Sequence, residues 1–357
     1  MHATKIDSVQ ALRAFAALSV AILHVLHDAI PLDPSGHIER WHNALPWASG
    51  VDLFFVISGF VMVYASADLF GRRGSPTTFM GRRLIRIVPL YWATTTFFLV
   101  VALATPASVS EAGFGVTDVI KSYAFLPASR PDGTIQPIYS LGWTLNYEMF
   151  FYVVFAACIV LPRRRAVAVV ALLLSTAMAA HRLVPPHATA FVFWTDSILL
   201  EFLLGMAVAV IAAKEVSLLI PFRVGLFLTA LILLIGTHLS GIPSGPVITG
   251  VPMSLAVAAA VLGRPIRVPN VLLLLGDASY ALYLVHPFAM RPVGIIWQRF
   301  HLTGSTAAAL YAATALLLAI IGAICVHLWF ERPVGAWLRS RLLNRSVRRT
   351  ALPHAAA

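Results

Sequence analysis

The sequence predicts an all-α integral membrane protein with about ten transmembrane helices and both termini in the cytoplasm. Of its 357 residues, 59% are hydrophobic and only 11% are charged, whereas soluble domains are typically about 25% charged. The apolar residues fall in long runs, each close to the roughly 20 residues that a spanning helix needs. Lysine and arginine concentrate in alternate connections between these runs, which is typical of basic cytoplasmic loops.

Ten apolar segments are each interpreted as one span. They cover residues 9–30, 47–67, 86–105, 142–161, 166–183, 195–213, 224–239, 247–263, 271–289 and 306–330. The first segment ends in His27, Asp28 and Pro31 rather than in a small-residue cleavage site, so we expect it to be retained. With the N-terminus inside, the cytoplasmic connections hold about three times as many basic residues as the outer ones. Residues 1–337 are predicted to form the membrane domain, and residues 338–357 a basic, partly disordered cytoplasmic tail.

Several classes of function are excluded by composition and motif. The net charge of +11 comes from short clusters between apolar runs, so topology explains it better than nucleic-acid binding does. Cys158 and Cys325 both lie in apolar runs without ligand spacing, which argues against a disulfide framework and against a metal site. Neither a serine-hydrolase elbow nor a Walker nucleotide loop is present.

Four ionisable residues on four predicted helices fall at similar depth in the outer half of the membrane: His24, Asp52, Glu148 and His286. Polar groups in hydrocarbon need partners, so these side chains are expected to face one another or a wet cavity. We expect His24 to be a general base and Asp52 or Glu148 to orient it. The alternatives are a histidine satisfied by a neighbouring helix without chemistry, and, for His286, an interfacial residue at a helix end.

A second group of residues is basic and is predicted at the cytoplasmic face. Arg82, Arg83 and Arg86 enter the third span, and Arg13 enters the first. Arginines presented together suit phosphate groups, although positive-inside topology alone also places them there. Arg13 and His24 are eleven residues apart, about three turns and roughly 16 Å along a helix. A donor with phosphates at one end and a thioester at the other, such as acyl-coenzyme A, fits that separation.

Five stretches occur in a characteristic order. They are Arg13 with His24 ten intervening residues later, GVDLFFVISGF (50–60), RRLIRIVPLY (82–91), SLGWTLNYEMFFY (140–152) and SYALYLVHP (279–287), followed by ERP (331–333). This set resembles the acyltransferase-3 family of membrane O-acyltransferases, which includes bacterial exopolysaccharide and lipopolysaccharide O-acetyltransferases. The resemblance covers nearly the whole chain.

The resemblance implies roles for individual residues. His24 matches the essential histidine and Arg13 its companion, while Arg83 and Arg86 match an arginine pair associated with acyl-coenzyme A. Glu148 matches the acidic residue of a Ser-Leu…Glu stretch, although the spacing from Ser140 is two residues longer than the shortest form. Ser140, Trp143, Tyr147 and His286 are expected to contact the acceptor; for the two aromatic residues, packing and an interfacial belt are the alternative.

The sequence and the resemblance together predict an enzyme of the bacterial inner (plasma) membrane. It would move an acetyl or other short acyl group from cytoplasmic acetyl-CoA or another acyl-CoA to a sugar hydroxyl of an exopolysaccharide or its lipid-linked precursor. We expect the reaction to need no metal. The enzyme would act alone or within a polysaccharide-synthesis complex. General-base catalysis and an acyl-histidine intermediate are both open. One rival is a glycan or small-anion transporter or flippase whose buried charges line a translocation path, and another is a non-catalytic assembly partner of a polysaccharide synthase.

Overall fold

The computed structural model describes residues 5–104, 114–185 and 187–350, with side chains over 7–342 of these. The described chain is helical and contains no β-strand, which confirms the predicted all-α class. Its α-helices, in chain order, are α1 (Lys5–Ala29), α2 (His37–Ala44), α3 (Ser49–Tyr64), α4 (Ser75–Ala104), α5 (Val116–Tyr123), α6 (Trp143–Cys158), α7 (Arg163–Ala180), α8 (Thr189–Trp194), α9 (Leu199–Ala212), α10 (Ile220–Leu239), α11 (Gly250–Val261), α12 (Asn270–Asp277), α13 (Ser279–Arg299), α14 (Ser305–Val326) and α15 (Arg332–Thr350).

Every predicted span overlaps a helix, but the helices differ in length. Within the described ranges, seven helical stretches are long and apolar enough to cross a membrane, or eight when the bent pair α12 and α13 counts as one. Helices α6 and α11 have only 16 and 12 residues, fewer than the roughly 20 that a perpendicular crossing requires. The architecture is therefore that of a multi-helix membrane protein.

The chain divides into two compact units, and neither is continuous in sequence. The first unit comprises Met1–Ala65 and Ser197–Cys325, and the second comprises Ser66–Asp196 and Val326–Ala357. The predicted boundary at residue 337 remains a prediction. Helix α15 extends through the first part of the predicted tail, and residues 351–357 lie outside the described residues.

The first unit is built on a close crossing of α3 and α9. A Cβ added at Gly59 would lie 2.1 Å from the carbonyl oxygen of Phe202, and one at Gly205 would lie 1.9 Å from that of Val56. Both distances are far below any real contact, so only glycine lets the two backbones approach this closely.

The ninth predicted span is two helices rather than one. Helices α12 and α13 meet at Ala278 with a bend of 72°. The side chains on either side of the bend are tied to α1: Gln10 donates to Asp277 at 2.5 Å, and Arg13 donates to Ser279. Apolarity alone cannot reveal this break, because Ala278 is itself a good helix former.

Helix α13 continues past its predicted end at residue 289. It runs to Arg299 and contains Pro287 and Pro292. The expectation that His286 lies about three residues from a helix end is therefore wrong, and Arg291, expected in an outer loop, lies within the helix.

In the second unit, helix α4 begins earlier than expected. The predicted third span starts at residue 86, whereas α4 starts at Ser75, with Pro76 in its first turn, a position that proline favours. Arg82, Arg83 and Arg86 therefore lie two or more turns inside a helix and not at its entrance. The prediction from apolar residues missed the first turns of α4 because those turns are polar.

Helices α4 and α6 of the second unit pack through aromatic rings. The Phe79 ring lies edge-on to that of Tyr152, with centroids 6.1 Å apart, and 5.1 Å from that of Phe155. The interior of this unit is thus rigid and aromatic around the helices that carry Arg83 and Glu148.

Candidate active site

The first unit brings two predicted site residues into direct contact, although they are 262 residues apart in the chain. His24 on α1 and His286 on α13 have ring centroids 4.9 Å apart, and His286 Nε2 lies 3.3 Å from His24 Nδ1. His286 is fully buried, while His24 is half-buried. Two histidines predicted at similar depth from sequence are therefore neighbours in the fold.

The protonation of this histidine pair follows from the backbone around it. His24 Nδ1 lies 2.9 Å from the carbonyl oxygen of Val20, and His286 Nδ1 lies 3.0 Å from that of Leu282. A carbonyl oxygen only accepts, so each Nδ1 carries the proton and donates it. His286 Nε2 then presents a lone pair to the His24 Nδ1–H, and His24 Nε2 keeps its own lone pair. Each proton position is fixed by a hydrogen bond within the same helix.

The sequence around His286 contributes to this geometry. Pro287 has no N–H, so the carbonyl oxygen of Tyr283 four residues earlier loses its usual helical donor. The imidazole of His286 interacts with that carbonyl as well as with Leu282. Pro287 thus allows the Tyr283 carbonyl oxygen to accept a hydrogen bond from the His286 imidazole.

Asp52 occupies a different place from the one expected for an orienting acid. Its Oδ1 accepts a hydrogen bond from Thr249 Oγ1 at 2.8 Å, and no hydrogen bond joins it to His24 among the described residues. Its partner Thr249 precedes α11, and the next residue, Gly250, lies against the side chain of Glu201. Glu201 is fully buried on α9 and was not among the predicted site residues, although an acidic residue in an apolar span was a visible signal.

Arg13 lies at the bend between α12 and α13. Its Nε and Nη2 donate to Ser279 Oγ at 3.1 and 2.9 Å. Ser279 is two turns before His286 on α13, and Arg13 is three turns before His24 on α1. Arg13 therefore joins the two helices that carry the histidine pair, which gives it a positioning role whether or not it also meets a phosphate.

Asp28 lies near the histidine pair and was not among the predicted site residues. It lies one turn after His24 on α1, within electrostatic range of that imidazole and of Arg291, and it accepts a hydrogen bond from Tyr311 Oη at 3.4 Å. The available signal was the i, i+4 spacing from His24, which places two side chains on one helix face.

The three arginines of α4 in the second unit do not form one cluster. Arg83 packs over the rings of Phe79 and Tyr152, at 5.5 and 5.9 Å from their centroids. Arg86, three residues later, shares that helix face. Arg82 points elsewhere: it is exposed, and its Nη2 lies 3.8 Å from an Asp68 oxygen. The arginine pair implied by the resemblance is thus kept together, and Arg82 is separated from it.

Glu148 belongs to the same part of the second unit. It accepts a hydrogen bond from the hydroxyl of Tyr152 one turn later on α6 and lies within electrostatic range of Arg83. A carboxylate, a phenol and a guanidinium thus lie close together between α4 and α6. Guanidinium groups held beside rings and carboxylates are well ordered for binding a planar or phosphate group.

The residues predicted to contact the acceptor from the segment 140–147 lie near the start of α6. Ser140 opens the short 3₁₀ turn Ser140–Gly142 that leads into it. Trp143 is edge-on to Tyr147 at 6.0 Å, and Tyr147 is stacked on Phe193 at 3.8 Å and is buried. Packing thus accounts for the two rings, and contact with the acceptor remains a prediction.

The predicted residues therefore divide between the two units. The first unit holds His24, His286, Asp52 and Arg13, and the second holds Arg82, Arg83, Arg86, Glu148, Ser140, Trp143 and Tyr147. In the part of the chain that the structure describes, no group of three or more histidine, cysteine or acidic side chains is arranged to hold a metal ion.

Comparison with known proteins shows which family the chain belongs to. Over 305 residues the chain is 34% identical to the exopolysaccharide production protein ExoZ of Rhizobium meliloti (strain 1021), covering 82% of this chain and 91% of that protein. It is 26% identical over 152 residues to the acyltransferase MdmB of Streptomyces mycarofaciens, covering 42% of this chain and 38% of that protein. No solved structure matches the chain. Residues 6–328 match the family model for the acyltransferase domain, and the chain accordingly belongs to the acyltransferase-3 family.

Proposed function

We propose that this acyltransferase moves an acetyl or other short acyl group from acyl-coenzyme A to a sugar hydroxyl of an exopolysaccharide or its lipid-linked precursor. The similarity to a protein named for exopolysaccharide production supports the acceptor class. In this proposal the chain lies in the bacterial inner membrane with ten spans and both termini in the cytoplasm. The donor arrives from the cytoplasm, and a polysaccharide-synthesis complex is a candidate partner.

The single observation that carries the chemistry is the contact between His24 and His286, from which the tautomer of each ring is inferred. His24 Nε2 carries a lone pair, and its Nδ1–H is held by Val20 O and by His286 Nε2. This is the arrangement of an oriented general base, with a neutral imidazole in the place that a carboxylate takes in serine-hydrolase triads.

The proposed reaction is one acyl transfer. The acceptor hydroxyl attacks the thioester carbonyl carbon while His24 Nε2 removes its proton, so that a C–O bond forms and the imidazole becomes cationic. The C–S bond then breaks, and the departing thiolate takes the proton from Nε2–H and leaves as coenzyme A. The products are an ester and a thiol. If Nε2 attacks the thioester first, an N–C bond forms, the C–S bond breaks, and coenzyme A is released as the thiolate. The acceptor hydroxyl then attacks the acyl-histidine, the C–N bond breaks, and the freed imidazole passes the hydroxyl proton to the thiolate.

Arg83 and Arg86 are assigned to the donor. The two arginines share a helix face, and Arg83 is packed over two aromatic rings. Both features support binding of the coenzyme's phosphates through paired, charge-assisted hydrogen bonds. Arg13 is assigned to positioning α13 against α1, and a phosphate contact by Arg13 is a secondary proposal. Glu148 is proposed to hold Arg83 in place through its charge.

The test combines a polysaccharide analysis with a purified enzyme. Exopolysaccharide from a deletion strain is expected to lack one ester resonance by NMR, and the wild-type gene should restore it. Purified wild-type protein should transfer the acetyl group of acetyl-CoA to the de-esterified polysaccharide, while His24→Ala should lose transfer by about 10²-fold or more. His238→Ala is the matched control, since His238 lies elsewhere in the first unit and bonds only to the Asn43 carbonyl oxygen among the described residues.

Full transfer by His24→Ala would refute both the base and the nucleophile role. Rapid quenching with labelled acetyl-CoA separates these roles, since only an acyl-histidine leaves label on the protein.

A further inference from the structure

The first unit contains a cavity of about 250 Å³ that no assigned role explains. It opens between the end of α1 and the middle of α13, with α14 contributing one side. Its wall includes the polar side chains of Asp28, Arg291 and Gln298, the rings of Trp297 and Tyr311, and the backbone at Gly294.

This cavity continues the helix faces that carry the histidine pair. Asp28 follows His24 by four residues on α1, and Met290, which also lines the cavity, follows His286 by four on α13. Four residues are about one turn and roughly 6 Å along a helix. A molecule in the cavity therefore lies one turn from the His24 imidazole, on the side that the topology prediction places outside.

The walls of the cavity are held rigid by the core behind it. Tyr311 and Met290 belong to a buried apolar cluster with Val25, and Trp297 packs against that cluster. Trp297 Nε1 donates to the carbonyl oxygen of Ala307 at 2.9 Å, and its ring is edge-on to Tyr311 at 5.9 Å. The indole is thus fixed in place before any ligand enters.

The chemistry and size of the cavity favour one sugar ring. A pyranose has apolar C–H faces that pack on indole and hydroxyls that donate to a carboxylate and accept from a guanidinium or an amide. The volume is below the roughly 300–1,000 Å³ of pockets for drug-sized ligands, which excludes the coenzyme's nucleotide.

We propose that this cavity is the acceptor subsite. It holds the sugar residue that receives the acyl group, with Trp297 against the ring face and Asp28 accepting from a hydroxyl next to the reacting one. This assignment rests on the proposed transferase function.

The decisive variant fills the cavity without disturbing the helix. A Cβ at Gly294 meets only Tyr311 Oη, at an ordinary 3.9 Å, so Gly294→Leu extends into the open space. Gly322→Leu is the matched control, because Gly322 is also helical and its Cβ position meets nothing within 4 Å. Both full-length variants are assayed with acetyl-CoA and with repeat-unit oligosaccharides from the de-esterified polysaccharide.

Gly294→Leu is expected to raise the KM for the oligosaccharide at least about tenfold, as loss of about 1.4 kcal/mol of binding would. Its KM for acetyl-CoA and its slow thioester hydrolysis without acceptor should stay at wild-type values, which also shows that it is folded. Asp28→Asn should raise the oligosaccharide KM in the same direction. Gly322→Leu should change neither KM.

Two results would overturn the assignment: an unchanged oligosaccharide KM in folded Gly294→Leu, or a raised KM for acetyl-CoA instead. Failure of the proposed function looks different, since the wild-type protein itself would then not transfer an acyl group to any oligosaccharide.

Discussion

At the scale of single residues, the histidine pair links chemistry to backbone geometry. His24 and His286 each use Nδ1 to bond a carbonyl oxygen four residues earlier in their own helix. This leaves a directed lone pair on each Nε2, one facing the partner ring and one available for a substrate. In the proposed mechanism His286 acts through His24 as a positioning residue, and contact between His286 and the acceptor stays a prediction.

Replacing His286 tests this positioning role. His286→Leu removes the acceptor for His24 Nδ1–H and should lower kcat at least about tenfold with little change in either KM, since one hydrogen bond to a group that becomes charged is worth about 1.5–3 kcal/mol. His286→Gln retains an acceptor oxygen and should recover much of that loss. Equal loss in both variants, with equal loss of thermal stability, would instead indicate packing alone.

The arginines of α4 offer a matched set for testing the donor site. Arg83→Met and Arg86→Met should each raise the KM for acetyl-CoA about tenfold or more, because each removes a charge-assisted hydrogen bond. Arg82→Met should change it less than about twofold, since exposed ion pairs such as the one with Asp68 are worth at most about 1 kcal/mol. Initial rates at varied acetyl-CoA measure this, and equal effects at all three positions would show that only the general positive charge matters.

The sequence predicted some of these contacts and missed others for identifiable reasons. His24 and His286 were placed together because depth follows from topology and helical rise. Asp52 was expected beside His24 from the same argument, yet it bonds Thr249, because depth does not specify which way a side chain faces. Asp28 was missed because it lies at the predicted helix end, where a carboxylate needs no special explanation.

At the scale of elements, the close crossing of α3 and α9 depends on two glycines. The carbonyl oxygens of Val56 and Phe202 occupy the space that side chains would need at Gly205 and Gly59. Small residues at helix contacts allow extensive van der Waals packing, which drives helix association in membranes.

This crossing predicts a sharp difference between two glycines. Gly205→Ala places a Cβ against backbone and should lower stability by about 1–3 kcal/mol through overpacking. Gly236→Ala on α10, where a Cβ meets nothing within 4 Å, should be neutral or should stabilise by up to about 1 kcal/mol, as alanine is the better helix former. Thermal unfolding of the two purified variants in the same detergent measures this, and equal melting temperatures would contradict the crossing.

The bend at Ala278 is a feature that local hydrophobicity in the sequence cannot predict. The span at 271–289 was predicted as one helix because most of its residues are apolar. Two of its polar residues, Asp277 and Ser279, bond Gln10 and Arg13 of α1, and a Cβ at Gly276 would meet the Gln10 carbonyl oxygen at 2.2 Å. These contacts with a distant helix fix the bend, so the information is not local.

At the scale of the whole molecule, composition was sufficient to predict the class of fold but not the division of the chain into two units. In lipid the backbone must satisfy its hydrogen bonds internally, and long continuous apolar runs such as those of this chain do so as helices. The grouping of residues 1–65 with 197–325 depends on contacts such as Gly59 with Phe202 and His24 with His286. Pairing across such distances leaves no periodic signal in one sequence, so the division of the predicted site between two units was not foreseen.

The separation of His24 and His286 along the chain also has a consequence for biosynthesis. The two rings are 262 residues apart, and at about 5–20 residues per second of synthesis the first helix waits roughly 10–50 s for its partner to emerge. During that interval an imidazole in an apolar helix has only the Val20 carbonyl oxygen and whatever lipid, water or insertion machinery is near. The contact between the two rings therefore reports assembly: a His24 ring without His286 beside it marks a nascent chain, and a His24 ring in contact with His286 marks one whose first unit has formed.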